Sequence, residues 1–360
     1  IRRRYFFHRW RRDRYSFPSP RSVKSVARVL SLVPRGDRAM TSSDRSAPAI
    51  DPDLVISHKF SETSFCYTER DAALYALGVG ACAGDAVDEK ELNYVYHRNG
   101  QKSIQVLPTF AALFPFAEGL GLEKVSGLQY DPRLLLHGQQ YIEIFRPLPS
   151  SGSIVNKVAI AGLHDKGKAT IIELETTSYL KESGEALCMN RSTIYLRGSG
   201  GFSSSSHPYS YKTYPDNQIL HVSVPKHQPT VVYEDTIQQS QALLYRLSGD
   251  YNPLHADPMI AQAAGFARPI LHGLCTLGFA VRAIIKCICN GEQTTVRNIF
   301  GRFLLHVYPG ETLVTEMWLE GSRQVFYCVL CSIMFSFLVY TNVWIPKPEF
   351  AFAESYIRLR

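Results

Sequence analysis

The sequence predicts an α+β protein built from two related units, and three observations carry that prediction. Strand-like runs bounded by Gly, Pro or Ser accumulate in the first half, at Gln140 to Phe145, Ser153 to His164, Ala169 to Tyr179 and Ser192 to Leu196. The stretch from Gly198 to His207, continuing in polar sequence to Asn217, is the one obvious linker, and a second patterned block runs from about Val231 to Cys328. The two blocks share a local pattern. Pro147-Leu148-Pro149-Ser-Ser-Gly152-Ser-Ile154-Val155 resembles Tyr308-Pro309-Gly310-Glu-Thr-Leu313-Val314, and in both a Pro/Gly turn delivers the chain into an alternating strand. With a linker midway, the repeat favours two related units over one large sheet.

Composition supports a folded chain. Of 360 residues, 45% are hydrophobic and 20% charged, enough for two modest domains. The formal net charge of +7 is unevenly spread: residues 1–40 hold 11 Arg and one Lys against two Asp, a net +10, which leaves −3 for residues 41–360. Nucleic acid is therefore not an expected partner, because a duplex-binding domain needs its own clustered Lys and Arg to displace counterions. Residues 1–49 read as a disordered or non-native extension. Met40 is the first methionine, so residues 1–39 read as upstream translation; an Arg-rich, acid-poor transit peptide is the alternative. The eight cysteines, with no secretory signal, read as reduced thiols. Cys287-Ile288-Cys289 lacks the spacer of zinc or redox pairs, so no metal is expected.

Along the chain, patterned sequence begins near Asp51-Pro52, and a helix is expected over Glu69 to Leu77, ending at Gly78-Val79-Gly80. The stretch from Gly78 to Gly84 has glycines spaced G-x-G-x-x-x-G after a helix rather than a strand, so it reads as a helix stop, not a dinucleotide loop. The first unit is placed at residues 50–200, the linker at 201–230 and the second unit at 231–328.

The most informative segment runs from Tyr245 to Pro258. Asn252 before Pro253 is kept out of the α region and suits a cap for a turn starting at the proline; Asp257-Pro258 repeats the device, and Gly265 ends that second short helix. Asp250 then lies just before the turn and His255 projects from it, so both can converge on one pocket as an acid/base pair acting on a water. The alternative is that Asp250 and Asn252 only shape the turn and His255 is a satisfied structural histidine. From Leu274 onward the segment after Pro269-Ile-Leu-His272-Gly273 is apolar on nearly every face, the mark of a buried helix. Gly273 would stand at its N-terminus, where a bare N–H can meet a ligand oxygen. A glycine needed only for close packing is the alternative.

The string Leu-Ser-Gly-Asp250-Tyr251-Asn252-Pro253-Leu254-His255, followed by Pro-Ile-Leu-His-Gly273-Leu-Cys-Thr, is similar to the hydratase 2 motif of MaoC-like proteins. Leu74 to Gly80, Leu107 to Phe110, Leu136-His137-Gly138, Asp165-Lys166-Gly167 and Tyr308 to Trp318 resemble the eukaryotic peroxisomal members, including plant forms and the hydratase domain of the peroxisomal multifunctional enzyme. The resemblance to type 2 enoyl-CoA hydratases covers about residues 50–328. It implies a double hot-dog fold, each half a curved antiparallel sheet around a long helix, with an N-terminal half that lacks the catalytic motif and makes room for a bulky acyl chain. It also implies hydration of trans-2-enoyl-CoA to (3R)-3-hydroxyacyl-CoA in fatty acid β-oxidation, in the peroxisome, although the family's C-terminal tripeptide is absent from this chain. By position, Asp250, Asn252, His255 and Gly273 are implied as catalytic residues. His137, Gly138, Lys166, Tyr251, Pro253, Leu254 and Phe303 join them as substrate contacts. The implied partner is an acyl-CoA thioester, with no cofactor beyond the CoA of the substrate, and a homodimer stays open. Other hot-dog activities (thioesterase or dehydratase) and an inactive acyl-CoA-binding protein are the alternatives.

After Tyr327 the match stops. Val325 to Ile345 is uncharged and long enough to span a bilayer on hydropathy alone, so residues 329–360 read as a divergent apolar tail. The abrupt change resembles a gene-model error and a membrane is not expected; a tail anchor is the alternative. If the tail is native, the final strand of the second sheet is missing or improvised.

Overall fold

The architecture follows from where the alternating runs can pair. The computed structural model describes residues 50–116, 119–215, 225–320, 324–331 and 341–344. The expectations for residues 1–49, and those for 332–340 and 345–360, lie outside the described residues. In the first half the order is α1 (Pro52–Ser57), β1 (Thr63–Tyr67), α2 (Glu69–Gly78), α3 (Glu89–Leu92), then strands β2 (Leu135–Ile144), β3 (Gly152–Asp165), β4 (Ala169–Leu180) and β5 (Ala186–Arg197), followed by the short β6 (Ser210–Lys212). The second half runs β7 (Val231–Thr236), α4 (Gln241–Arg246), α5 (Pro258–Ala263), α6 (Gly273–Cys287), β8 (Asn298–Arg302), β9 (Thr312–Glu320), β10 (Gln324–Cys331) and β11 (Thr341–Trp344).

The strands lie in the order β1-β3-β4-β5-β2 and then β8-β11-β10-β9-β7, with every pairing antiparallel. Read outward from the centre, the two halves have the same topology: β1 corresponds to β7, β2 to β8, β3 to β9, β4 to β10 and β5 to β11. The Pro/Gly turns noticed in the sequence enter β3 and β9, which are equivalent strands. The contrast drawn above between two units and one sheet does not hold, however. Gln139 to Glu143 of β2 pair with Asn298 to Arg302 of β8, so the two half-sheets join edge to edge in one sheet.

Two further expectations change. The chain after Tyr327 does not leave the sheet at once: Cys328 to Cys331 continue β10 against β9, and β11 pairs with β10 and β8 in the slot that β5 fills in the first half. An uncharged run reads as a span on hydropathy, but the same composition suits strands buried in a sheet. No helix among the described residues is long and apolar enough to cross a membrane. Within the expected linker, Ser210–Lys212 pairs with Gly162 to His164 of β3.

The helical layer is asymmetric. In the second half α6 is the long central helix, with Leu274 through Ile285 all buried. Its counterpart in the first half is a 3₁₀ segment, Pro108–Phe116, buried from Pro108 to Phe114. The expected long helix is absent there because Pro115 lies inside the segment, where a proline removes a donor and crowds the preceding turn. Phe110 and Phe114 pack edge to face at 5.7 Å and meet Phe65 and Tyr67 of β1. The halves are also tied by charge: buried Arg282 of α6 donates to the Val79 carbonyl and pairs with Glu91 of α3 and Asp235 of β7.

Candidate active site

The Asp250 loop is shaped by local chemistry. Asn252 Oδ1 accepts the Leu254 N–H at 3.0 Å and starts a 3₁₀ turn, Pro253–His255; Asp257 caps α5 in the same way, and Gly265 at φ +89° closes it. Asp250 Oδ1 accepts the Asn252 N–H at 3.2 Å, which leaves Oδ2 turned toward His272, 3.9 Å from its Nε2. The turn drives His255 inward until it is buried, with Nδ1 2.8 Å from the Ile270 carbonyl. That carbonyl can only accept, so Nδ1 carries the proton and the lone pair stays on Nε2. Burial lowers the His255 pKa, against the pull of Asp250 and with the Arg246 charge adding to the lowering, so the ring is neutral at neutral pH. A neutral imidazole with a free Nε2 is a proton acceptor.

His272 supplies the floor of this pocket, and the sequence reading gave it no part. Its ring stacks on His255 with centroids 3.6 Å apart and planes 27° apart, and the Tyr245 ring lies 4.8 Å from it on another side. Nε2–H donates to the Asp250 carbonyl at 3.2 Å, while Nδ1 and the Tyr245 hydroxyl are buried without partners. Burial, helped by His255, pulls the His272 pKa down to about 2. A histidine before a glycine carries no local signature; the partner carbonyl is 22 residues away. Asp250, His255 and His272 each offer one ligand atom within 4.8 Å of the others. Of the His272 nitrogens, Nε2 is committed as a donor to the Asp250 carbonyl and has no lone pair to offer a metal.

Around this core stand four of the other expected residues. Gly273 is the first residue of α6, so its N–H has no intrahelical acceptor and lies at the positive end of the helix dipole. A Cβ there would come within 3.1 Å of the Phe303 ring, so the glycine keeps the approach to that N–H narrow but open. Phe303 also donates its N–H to the Gly138 carbonyl at 2.8 Å and stacks edge-on against His137 at 5.3 Å. Gly138 sits at a bulge in β2 between His137 and Gln139, and a Cβ there would lie 2.3 Å from Tyr195. His137 Nε2 meets the Gln139 carbonyl at 3.0 Å, and desolvation lowers its pKa to about 4.

The remaining expected residues are not brought into the pocket. Tyr251, Asn252 and Pro253 are exposed on the outer side of the loop, Leu254 is half-buried, and the Asn252 side chain is occupied by its cap. Lys166 is exposed in the β3–β4 turn, beside Asp165, whose carboxylate gathers the N–H groups of Gly167, Gly201 and Ser203. The cross-strand row His137, Ile194, Ile172, Leu163 puts three strand spacings, roughly 14 Å, between β2 and β3 before the chain continues to Lys166. Lys166 is remote from the acid/base pair.

Residues 65–198 match the MFE-2 hydratase 2 N-terminal domain, and residues 221–331 match the MaoC like domain. Over 277 residues the chain is 65% identical to the peroxisomal enoyl-CoA hydratase 2 of Arabidopsis thaliana, covering 76% of this chain and 89% of that protein. The crystal structure of a MaoC-like dehydratase from Phytophthora capsici superposes with a TM-score of 0.72 at 30% identity, covering 83% of this chain and all of that one. A Mycobacterium tuberculosis protein with a double hotdog fold matches in fold, with a TM-score of 0.50 at 14% identity, over 79% of this chain and 95% of that one. This chain therefore has a double hot-dog fold and belongs to the type 2 enoyl-CoA hydratase family of MaoC-like proteins.

Proposed function

We propose that this enzyme adds water across the double bond of trans-2-enoyl-CoA thioesters to give (3R)-3-hydroxyacyl-CoA, as a step of fatty acid β-oxidation. The observation that carries the reading is the convergence of the Asp250 carboxylate and the His255 imidazole, with ligand atoms within 4.8 Å, beside the start of α6 at Gly273. A water held between Asp250 and Nε2 of His255 loses a proton as its oxygen bonds to C3, and a proton is returned to C2 from the same side. Negative charge develops meanwhile on the thioester oxygen, where the Gly273 N–H and the helix dipole stabilise it. One O–H bond and the C2=C3 π bond break while a C–O and a C–H bond form, and no electrons are exchanged with a second reagent, so the chemistry asks for no redox cofactor. Asn252 serves by holding the turn that aims His255. His137, Gly138 and Phe303 wall the acyl side, and Lys166 contacts the distant CoA portion by charge.

The Arabidopsis relative is named as peroxisomal, and we infer the same compartment for this chain. Crotonyl-CoA and decenoyl-CoA test the activity: the enoyl-thioester absorbance should fall without release of free thiol. Thiol release would indicate a thioesterase, and an unchanged absorbance would leave only binding.

A further inference from the structure

Resting on the hydratase reading above, we propose that His272 is a positioning residue for the acid/base pair: its Nε2–H tethers the Asp250 carbonyl and its ring forms the floor under His255, so both catalytic groups address one water. Three separate observations meet on this side chain. Its ring lies 3.6 Å from the His255 ring, centroid to centroid, so His255 cannot tilt toward it. Its one N–H is spent on the main chain of Asp250 at 3.2 Å, which fixes the loop without occupying the carboxylate. It is 1% exposed, and so cannot itself reach bulk water.

The groups that face His272 are His255 from the Pro253–His255 turn, Asp250 from the preceding loop, and Tyr245 and Arg246 from α4. Among them a second cation would oppose the imidazolium that forms when His255 takes a proton. Burial and the His255 charge together keep His272 neutral, down to about 2, so the floor carries no charge while His255 cycles. A neutral ring with its only proton committed to the Asp250 carbonyl has none to give to the substrate.

The test uses the full chain with crotonyl-CoA, resolving kcat from KM. His272→Phe keeps the flat ring and loses the tether; His272→Gln keeps a donor at similar reach and loses the ring. Each should lower kcat by about tenfold, the scale of one hydrogen bond, with KM changed less than about twofold. His255→Gln is the reference. If His255→Gln is inactive while both His272 variants keep wild-type kcat, the proposal fails alone. If His255→Gln also keeps wild-type kcat, the acid/base reading fails and the proposal falls with it. Should the variants not fold, ¹⁵N NMR of the wild-type protein decides: His272 should show the neutral Nε2–H tautomer throughout roughly pH 5–9. A titrating His272, or the Nδ1–H tautomer, would overturn the proposal.

Discussion

Arg282→Leu is expected to destabilise the protein strongly, and in a pH-dependent way. The guanidinium is 1% exposed and compensates two carboxylates, Glu91 at 2% and Asp235 at 8%. Glu91 keeps other partners when it is removed, Lys286 at 3.3 Å and the Cys82 N–H at 2.8 Å. Asp235 keeps no side-chain partner among the described residues, since its Oδ2 already has none. Stranding a buried charge in this way costs about 3–5 kcal/mol. At about 2–4 °C per kcal/mol, Tm should fall by roughly 6–20 °C at pH 7. Burial already holds the Asp235 carboxyl above its ordinary range, and the Arg282 charge is what pulls it back; without Arg282 it rises further. A carboxyl whose folded pKa exceeds its unfolded value contributes most at low pH, and that contribution is lost as pH rises through the folded pKa. The deficit of the variant should therefore be smaller at about pH 5 than at pH 7. Thermal unfolding by circular dichroism at both pH values measures it, and Arg282→Leu/Glu91→Leu/Asp235→Leu should recover most of the loss. A Tm within about 3 °C of wild type, or an equal deficit at both pH values, would show that Asp235 is not left as an uncompensated buried charge.

Asp250→Asn keeps shape without a proton acceptor and His255→Gln keeps polarity without titration, so each should lower kcat by about 10²–10⁴ while the protein stays folded; the double variant should be little worse than the worse single one. Lys166→Ala should raise KM by about tenfold or more with kcat nearly unchanged, as a charge-assisted contact far from the double bond binds ground and transition states alike; equal KM values would remove Lys166 from the site. Because burial lowers the His255 pKa from its ordinary 6.5, its accepting form persists at neutral pH and is lost only as pH falls through that lowered value. The acid limb of kcat/KM should thus lie below 6.5, and a limb above it would contradict the assignment.

What could be read in advance was what is written locally. Asn252-Pro253 and Asp257-Pro258 specify their caps within three residues, and the apolar run after Gly273 specifies a buried helix. The start of β5 escaped notice because Asn190 and Arg191, just before the run read from Ser192, are polar yet buried, satisfied by Ala111 and Glu175 from distant segments. β11 escaped because it lies in an uncharged run that reads as a span on hydropathy. His272 escaped because its contacts, among them the Asp250 carbonyl and the His255 ring, are made by the fold. The edge-to-edge joining of the half-sheets through β2 and β8 likewise depends on register between strands more than 150 residues apart, which no local pattern encodes.

Asp250 and His255, acting together on one water, would deliver both of its parts from one side of the substrate. Hydration of crotonyl-CoA in D₂O, with NMR and chiral analysis of the product, tests this most directly. The expected product is the (3R)-alcohol with deuterium at C2 on the same face as the new hydroxyl; a (3S)-alcohol, or deuterium on the opposite face, would rule out one-sided addition by this pair.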